Sequence, residues 1–548
     1  MSSTEPESSS RIAVDVRRFP WIRRLSADYA YNFSHVAPFF AGNPADRDAW
    51  AQAIARTQAH ERRRSDVAAL IGAQQERRGA PARALEAGRA LRDRRTVAIV
   101  TGQQAGLFGG PLFTLLKALS AIKLADQVSR DHRVPAVAIF WIEGEDHDWN
   151  EVRACTVFDE ELAPRTVALP PELMLEPGPV ASVRLDDSVA AAIDELERTL
   201  AVTEFRPSLI ADLRAIYALG SGMADAFGRW LERLLGDRGL IVYDASDPDG
   251  KHLAGAIFAK ELSAPGETGR RAARAGEGLS SRGYHAQVQG LDDSPALFVL
   301  DGGRQPIRSR NGRLHVGEHS YAAAELAEEA SKHPAGFSPN VLLRPIVQDT
   351  LFPTVCYVTG PNEIGYLGQL GGVYALFGVP MPLLYPRASA TLVDSGALRF
   401  LARYQVPLET LQAQDEAALN ELLKAQIPPI VETSFAAAAQ AVDARMADLI
   451  RAMAALDPTL EGAANNTLGK MRHDLEALHG KIIRAAKRRD ETLRRQFIRT
   501  RALAFPNGRA QEREIGFVSF LNQYGPALVE RLMAELPLEL GKHWIIAV

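Results

Sequence analysis

The sequence predicts an α/β protein with a Rossmann-like parallel-sheet core, two connecting insertions and a C-terminal α-helical coiled-coil domain. Five short apolar runs, rich in β-branched and aromatic residues, are followed late in the chain by two stretches with heptad spacing. The five runs do not alternate polar and apolar residues, so both faces of each strand should be covered, as in a parallel sheet between helices. The predicted strands are residues 96–101, 136–142, 239–244, 353–359 and 380–385.

The first predicted strand is followed by a helix with one buried face. Its apolar positions recur at intervals of three and four residues, which places them on one side of an α-helix. They are Leu112, Leu115, Leu116, Leu119 and Ile122. Strand, loop, helix and strand form a βαβ unit, the building block of a doubly wound sheet. We assign the core to residues 13–400 and interpret the long gaps at about 153–235 and 262–340 as insertions into it.

Heptads predict two long helices within residues 408–503. The first series is Phe435, Val442, Leu449 and Leu456 with Ala439, Met446 and Met453 between them, and the second is Leu468, Met471, Leu475, Leu478, Ile482 and Ala485. The two helices either pack as a hairpin within one chain or form an antiparallel coiled coil that makes a homodimer. The regular spacing favours the coiled coil but does not separate intrachain from interchain pairing. Residues 504–548 are predicted to pack back on the core, with a short strand at 543–548.

Composition narrows the class of protein. The 548 residues are 46% hydrophobic and 24% charged, with a net charge of −4, which argues against a nucleic-acid partner. The two cysteines form no disulfide framework or metal motif, and no apolar run reaches membrane-spanning length. The polar N-terminus does not read as a signal peptide, and residues 1–12 are predicted to be a disordered tail. These features predict a cytoplasmic protein with no membrane partner.

Polar or glycine-rich segments follow every predicted strand. The first strand leads into residues 102–111 and the second into residues 143–148. The third ends at Asp244, the fourth leads into Gly360 and Glu363, and the fifth leads into Arg387. Because ligands of open parallel sheets bind outside the carboxyl ends of the strands, this convergence predicts a binding site.

The glycine-rich loop is the first candidate. Gly102, Gln103, Gln104, Gly106 and Gly109 precede the predicted helix, an arrangement that lets backbone N–H groups approach an anion. No Gly-Lys-Ser/Thr follows, so the loop is not a P-loop. The alternative is a tight turn that needs glycine for packing.

Lys117, on the helix after this loop, either reaches a phosphate or is simply solvated.

The acidic segment is the second candidate. Glu145, Asp146, His147 and Asp148 are consecutive, and Glu143 stands just before them. Carboxylates this close raise some pKa values unless a cation lies between them, which could be Mg²⁺, a substrate amine, or a Lys or Arg side chain. His147 would serve as a general base or position a phosphate. The alternative is a solvated acidic turn, and the sequence identifies no metal ligands.

Arg344 and Gln348 precede the fourth strand, and Arg387 ends the fifth. Each is suited to a carboxylate or phosphate, although a salt bridge or a helix start explains any one of them nearly as well. Cys155 and Cys356 are expected to be buried apolar residues rather than nucleophiles.

These segments resemble the BshC family in order along nearly the whole chain, from FFAGNP at Phe39 to the C-terminus. The resemblance rests on TGQQAGLFGGPLFTLLKALSAIKLA, VAIFWIEGEDHDWNEV, LLRPIVQDTLFPTVCYVTGPNEIGYLGQL, FGVPMPLLYPR and the late FPNGRAQERE and FLNQYGP. It implies a nucleotidyltransferase-like Rossmann core, two connecting insertions and a dimerising coiled coil. It also implies the last step of bacillithiol biosynthesis, in which L-cysteine is joined to glucosaminyl-malate.

One mechanism is consistent with both the residues at the strand ends and the family resemblance. In it the sugar amine attacks a cysteine carboxylate that ATP or another nucleotide has activated, and Mg²⁺ is a candidate ion. The glycine-rich loop would hold substrate or phosphate, His147 with Asp146 or Asp148 would handle protons or the metal, and Arg344 or Arg387 would neutralise the malate. Two alternatives are an adenylating or nucleotidyltransferase enzyme with another acceptor, and a non-catalytic coiled-coil scaffold.

Overall fold

The computed structural model describes residues 11–174, 178–288, 293–426, 429–489 and 491–548. Residues 1–10 of the predicted tail lie outside the described residues, whereas Arg11 and Ile12 belong to the first strand. The chain forms two compact units. One comprises the chain up to Leu392 with Ala510–Ile546 and Val548, and the other comprises Val393–Arg509 with Ala547.

The strands are β1 (Arg11–Asp15), β2 (Val97–Gln104), β3 (Ala136–Glu143), β4 (Ala154–Phe158), β5 (Pro164–Ala168), β6 (Ile241–Asp244), β7 (Leu297–Leu300), β8 (Arg304–Pro306), β9 (Arg308–Arg310), β10 (Arg313–Val316), β11 (His319–Tyr321), β12 (Phe337–Pro339), β13 (Thr354–Thr359), β14 (Leu383–Pro386), β15 (Ser389–Val393) and β16 (Lys542–Ala547).

The helices are α1 (Arg24–Tyr31), α2 (Arg47–Ala59), α3 (Arg64–Arg78), α4 (Ala82–Ala90), α5 (Leu112–His132), α6 (Trp149–Val152), α7 (Ser188–Thr199), α8 (Arg206–Ile216), α9 (Met223–Leu235), α10 (Pro248–Lys251), α11 (Gly255–Ser263), α12 (Glu267–Ser280), α13 (Ala323–Lys332), α14 (Arg344–Leu351), α15 (Glu363–Leu367), α16 (Gly371–Phe377), α17 (Ser395–Tyr404), α18 (Ala417–Ala425), α19 (Pro429–Leu456), α20 (Glu461–Arg489), α21 (Glu491–Ala504), α22 (Gln511–Glu514), α23 (Phe517–Tyr524) and α24 (Ala527–Glu535). Within the part of the chain that is described, none of them is long and apolar enough to cross a membrane.

A five-stranded parallel sheet forms the centre of the first unit. Its order is β14–β13–β2–β3–β6, and each neighbouring pair is parallel. Counted along the chain, the five strands lie in the order 3-2-1-4-5, the doubly wound arrangement, and the direction of winding reverses between β2 and β13. The predicted Rossmann-like parallel sheet is therefore confirmed.

Helices pack on this sheet and bury the side chains of its strands, which accounts for their apolar sequences. Residues Val97–Val100 at the start of β2 are fully buried, and α5 packs against both β2 and β3. The five apolar positions predicted for this helix are all buried. Helix α2 contacts β13, and α9 contacts the edge strand β6. Burial of the sheet by helices leaves the carboxyl ends of the strands as the place where polar groups can collect.

Strand β2 is longer than predicted because the glycine-rich segment begins inside it. Gly102, Gln103 and Gln104 pair with Trp141, Ile142 and Glu143 of β3. A Cβ atom on Gly102 would lie 2.8 Å from the carbonyl oxygen of Trp141, so only glycine allows β2 to continue past this point. The extension carries the two glutamine side chains to the edge of the sheet beside Glu143.

The rest of the glycine-rich segment, residues 105–110, is buried. The indole Nε1 of Trp230 donates to the carbonyl oxygen of Phe108 at 3.1 Å. Gly109 has φ of +97°, and a Cβ atom there would overlap the ring of Phe517. At the start of α5 the backbone N–H of Leu112 donates to the carbonyl oxygen of Ile515 at 2.8 Å. These contacts match the tight-turn alternative, with glycines chosen for close packing.

The gaps between core strands hold small elements of their own. Residues 153–235 contain the β4–β5 hairpin and helices α7 to α9, and residues 262–340 contain two three-stranded sheets. The predicted C-terminal strand is β16, which pairs antiparallel with β1 in a sheet of order β1–β16–β15.

In the second unit, α19 and α20 pair antiparallel within one chain. Arg472 and Asp443 form an ion pair at 2.8 Å, and His479 contacts Glu432 at 2.9 Å and the ring of Phe435. Met446 is buried in this hairpin. Other heptad residues are exposed, namely Leu449, Leu456, Met471 and Leu478. Intrachain pairing therefore uses part of the apolar pattern and leaves these four apolar side chains on the surface of the hairpin.

Candidate active site

The carboxyl ends of the core strands bring several predicted segments to one edge of the sheet. Gln104 of β2 lies opposite Glu143 of β3, and Ile142 of β3 lies opposite Asp244 of β6. On the other side of β2, β13 ends at Thr359 opposite Pro386 of β14. The reversal point between β2 and β13, where doubly wound folds bind ligands, thus lies between the glutamines and residues 360–363.

Lys117 and Glu363 meet at this reversal point. The Nζ of Lys117 lies 2.5 Å from Glu363 Oε1, and it donates to the carbonyl oxygen of Gly102 at 2.9 Å and to Gln103 Oε1 at 3.1 Å. Only 2% of Lys117 is exposed, so of the two alternatives for this side chain the solvated one does not hold. Burial lowers the pKa of Lys117, and the Glu363 carboxylate opposes that change.

The second carboxylate oxygen of Glu363 is buried and has no hydrogen-bond partner among the described residues. The preceding backbone is fixed, because the N–H of Glu363 donates to the Gly360 carbonyl oxygen at 3.0 Å. A buried carboxylate oxygen without a donor is costly, and a ligand hydroxyl or amine would supply one. Glu363 is therefore a candidate ligand-binding group, positioned by Lys117.

Glu143 and Arg344 form a second charged contact at the carboxyl edge of the sheet. Arg344 Nε lies 3.5 Å from Glu143 Oε2, and Trp141 Nε1 donates to the same oxygen at 3.2 Å. Gln348 accepts a hydrogen bond from the Arg344 guanidinium at 2.9 Å, which fixes that side chain over the rings of Trp141 and Tyr357. The site therefore holds a carboxyl group beside a fixed guanidinium.

Burial raises the pKa of Glu143 to about 7, with Arg344 opposing the change and Glu145 adding to it. About a fifth of the side chain, 22%, remains exposed, so the carboxyl group can reach a ligand. A carboxyl group that titrates near neutral pH is suited to accept a proton from an amine. In the sequence, Glu143 stands out only as the residue before the acidic cluster. Its burial could have been predicted, because it is the last residue of an apolar strand.

The acidic segment after β3 separates into side chains with different environments. Glu145 is buried in an ion pair with Lys251 and accepts a hydrogen bond from Ser338 Oγ at 3.2 Å. Asp146 accepts from Gln104 Nε2 at 2.6 Å and contacts His147. The His147 side chain is 58% exposed.

Asp148 caps the short helix α6 by accepting from the N–H of Glu151 at 3.1 Å. Asp146 is thus the member of the segment that contacts Gln104, and His147 contacts Asp146.

Arg387 forms a buried ion pair through its two terminal nitrogens, while its Nε has no hydrogen-bond partner among the described residues. Its two terminal nitrogens donate to the two carboxylate oxygens of Glu512 at 2.9 and 2.7 Å. Burial acts to raise the pKa of Glu512, but Arg387 outweighs it and lowers that pKa to about 2. Ser389 Oγ also donates to Glu512 at 3.0 Å. The positive charge of Arg387 is therefore already balanced, which matches the salt-bridge alternative at this position.

A cavity of about 620 Å³ lies beyond the ends of β3 and β6. Glu145, Asp244, Ser246 and Arg184 are on its wall. Asp244 accepts hydrogen bonds from the N–H and hydroxyl of Ser246 at 2.9 and 2.6 Å, and burial raises its pKa. The volume falls in the range of sites that take small molecules.

The described residues contain no group of three or more His, Cys, Asp or Glu side chains arranged to hold a metal ion. A Mg²⁺ ion that accompanies nucleotide phosphates takes much of its coordination from those phosphates and from water, so it needs few protein ligands.

Comparison with known proteins gives consistent matches over the chain. Residues 12–388 match the family described as "Bacillithiol biosynthesis BshC, N-terminal Rossmann-like domain", and residues 390–548 match "Bacillithiol biosynthesis BshC, C-terminal coiled-coil domain". Similar proteins carry the name "Putative cysteine ligase BshC". That of Salinibacter ruber is 33% identical and covers 96% of both chains. That of Symbiobacterium thermophilum is 34% identical, covering 87% of this chain and 88% of the relative.

The environment of Glu143 predicts a stability change with a defined pH window. Because folding raises its pKa from 4.5 to about 7, its contribution to stability is present below pH 4.5 and is lost as the pH rises through 7. Glu143→Gln removes the cost of burying the charge. We expect the variant to match the natural protein below about pH 5 and to exceed its free energy of unfolding by up to about 3 kcal/mol above pH 7, since one pKa unit corresponds to about 1.4 kcal/mol.

Thermal unfolding monitored by circular dichroism between pH 5 and pH 8 measures this difference. The control is Glu172→Gln at an exposed position, for which we expect a change within about 0.5 kcal/mol. A Glu143→Gln variant that is less stable than the natural protein at pH 8 would contradict the assigned environment.

Proposed function

The chain belongs to the BshC family, and from this premise we propose that it is a cysteine ligase that joins the carboxylate of L-cysteine to the amine of glucosaminyl-malate. The names of the relatives support the reaction class. The observation that carries the proposal is Glu143, a largely buried carboxyl group with a pKa of about 7 at the ligand-binding edge of the sheet.

Amide formation needs the amine in its neutral, nucleophilic form. We assign Glu143 as the group that accepts the amine proton. A base that titrates near the working pH is ionised in a large fraction of molecules and still binds the transferred proton strongly enough to drive the transfer. Arg344 is a positioning residue: it keeps the Glu143 carboxylate oriented and limits the rise of its pKa. Asp146 and His147, beside Gln104, form a second route by which the proton leaves the site.

The acceptor would lie across the ends of β13, β2 and β3. Neighbouring strands are about 4.8 Å apart, so the ends of β13 and β3 are separated by roughly 10 Å, the length of an amino sugar with one substituent. In this pose the amine lies at Glu143, and a sugar hydroxyl donates to the unpartnered oxygen of Glu363. Lys117 holds Glu363 in place and balances its charge.

We propose ATP as the co-substrate. When bound, it would supply the activation that a free carboxylate needs, so that one carboxylate oxygen leaves as part of phosphate or AMP when the amine attacks. The cavity beyond β3 and β6 has room for a nucleotide, and Arg184 and Ser246 on its wall are suited to phosphate and ribose oxygens. The buried turn at residues 105–110 and the covered start of α5 favour this cavity over the glycine-rich loop as the nucleotide site.

The direct test is an assay of the purified full chain with ATP, L-cysteine and glucosaminyl-malate. We expect bacillithiol to form, and ATP to be consumed only when both other substrates are present. Liquid chromatography with mass spectrometry follows the thiol product, and a coupled assay follows ATP. No product and no ATP consumption would contradict the proposal, and ATP cleavage that does not depend on cysteine would indicate an adenylating enzyme with another acceptor.

Two variants separate the candidate proton acceptors. Glu143→Gln keeps the size of the side chain but cannot accept the proton, so we expect kcat/KM for glucosaminyl-malate to fall by about 100-fold or more. For His147→Ala, at an exposed position, we expect a fall of less than about 10-fold. The reverse order of effects would assign the proton transfer to His147.

We also propose that the protein is a homodimer through the exposed apolar side chains of α19 and α20. Leu449, Leu456, Met471 and Leu478 are exposed in a single chain, and a second copy would bury them. Sedimentation should give twice the mass of the 59.7 kDa chain. Leu449→Glu with Leu478→Glu should give a monomer, whereas Leu219→Glu, at an exposed leucine of the other unit, should not. A monomeric natural protein would contradict the proposal.

A further inference from the structure

A narrow cavity lies beside the reversal point, on the side of β14. It is lined by Pro361 and Ile364, which flank Glu363, and by Arg387 and Arg513. Its volume is about 60 Å³, which holds roughly four groups the size of water. That space fits the carboxylate-bearing end of a small substrate and excludes a nucleotide.

Ala510, Glu512 and Arg513 line one side of this cavity. Gln511 exchanges two hydrogen bonds with the backbone of Leu392, each at 2.7 Å. Glu512 accepts the two hydrogen bonds from Arg387 and a third from the N–H of Ala390 at 3.1 Å. These contacts fix the short helix α22 against β15. The next residue, Arg513, is held at the cavity by that arrangement.

The positive charge of Arg513 is not neutralised by an ion pair with a neighbouring carboxylate. Its guanidinium lies 5.9 Å from the centre of the Phe113 ring, which also contacts Arg387 at 5.5 Å. Desolvation by the surrounding protein and the charge of Arg387 lower the pKa of Arg513, while Glu512 and Glu363 raise it. Glu512 is committed to Arg387 and Glu363 to Lys117. None of the described side chains forms an ion pair with Arg513, and its guanidinium remains accessible to a ligand.

The charges on the cavity wall favour an anion. Arg387 and Glu512 cancel one another, and Lys542 and Glu539 at the outer rim carry opposite charges. Arg513 is left as the excess charge. Phe19, Trp21 and Ile22 form apolar wall, and a charge–charge interaction is stronger beside such low-dielectric surfaces than in open water.

We propose that Arg513 binds a carboxylate of the acceptor substrate, so that the C-terminal segment completes the acceptor site. The inference rests on the proposed ligase function, because it takes the acceptor to be an amino sugar with a dicarboxylic acid substituent. Arg513 would then bind the substituent in place of Arg387, because the charge of Arg387 is already balanced by Glu512. In this pose a carboxylate of the substituent lies at Arg513, a sugar hydroxyl lies at the unpartnered oxygen of Glu363, and the amine lies at Glu143.

The test is steady-state kinetics of Arg513→Gln in the full chain. Loss of a hydrogen-bonded charge pair should raise KM for glucosaminyl-malate by about 10- to 100-fold, while kcat and the KM values for ATP and L-cysteine change less than about 3-fold. Arg513→Lys, which keeps the charge but not the paired donors, should recover part of the loss. Arg531→Gln, at an exposed arginine of the same segment that pairs with Glu535, is the matched control and should be unchanged.

The outcomes separate this inference from the proposed function. A natural protein without ligase activity contradicts the proposed function itself. An active natural protein whose Arg513→Gln variant keeps its KM for the acceptor overturns the inference alone, and a rise in KM for ATP instead would assign Arg513 to phosphate. Calorimetry with malate gives an activity-independent readout: we expect the natural protein and the Arg531→Gln control to bind malate, and Arg513→Gln to bind it at least about 10-fold more weakly.

Discussion

The contact between Glu143 and Arg344 at the carboxyl edge of the sheet is the interaction on which the rest of the site depends. A carboxyl group at the end of a buried strand would stay protonated at neutral pH without a cation beside it, and it would have an ordinary acidic pKa if it were open to water. The 3.5 Å contact with Arg344 and the remaining exposure of Glu143 give its carboxyl group a pKa between these two extremes. The extension of β2 through Gly102 serves the same end, because it brings Gln104 opposite Glu143.

Much of the fold follows from local pattern. Apolar runs without alternation give buried parallel strands, and the three-four spacing after the first run gives α5, because both patterns are set by which faces of an element are covered. Strand ends were harder to predict. Gln103 and Gln104 are polar residues in a glycine-rich stretch, and only their pairing with β3 makes them strand.

Individual roles in the site depended on partners that are distant in sequence. Arg387 is balanced by Glu512, which is 125 residues away, and Glu145 is buried against Lys251, which is 106 residues away. The strand order could place these residues near one edge, but it could not show which charges are already paired. Gly109 looked like part of an anion-binding loop because a packing glycine and a ligand-binding glycine have the same sequence signature. Arg513 was within a recognisable motif, yet its position at the cavity depends on how Gln511 and Glu512 are held.

The proposed proton transfer depends on the ionisation of one carboxyl group, which can be observed without substrates. Infrared difference spectra between the natural protein and Glu143→Gln, recorded as the pH is raised, isolate the carboxyl band of Glu143. We expect this band to convert from the protonated to the ionised form near pH 7. Conversion complete below about pH 5, where an ordinary glutamate titrates, would contradict the assignment of Glu143 as the group that accepts the amine proton.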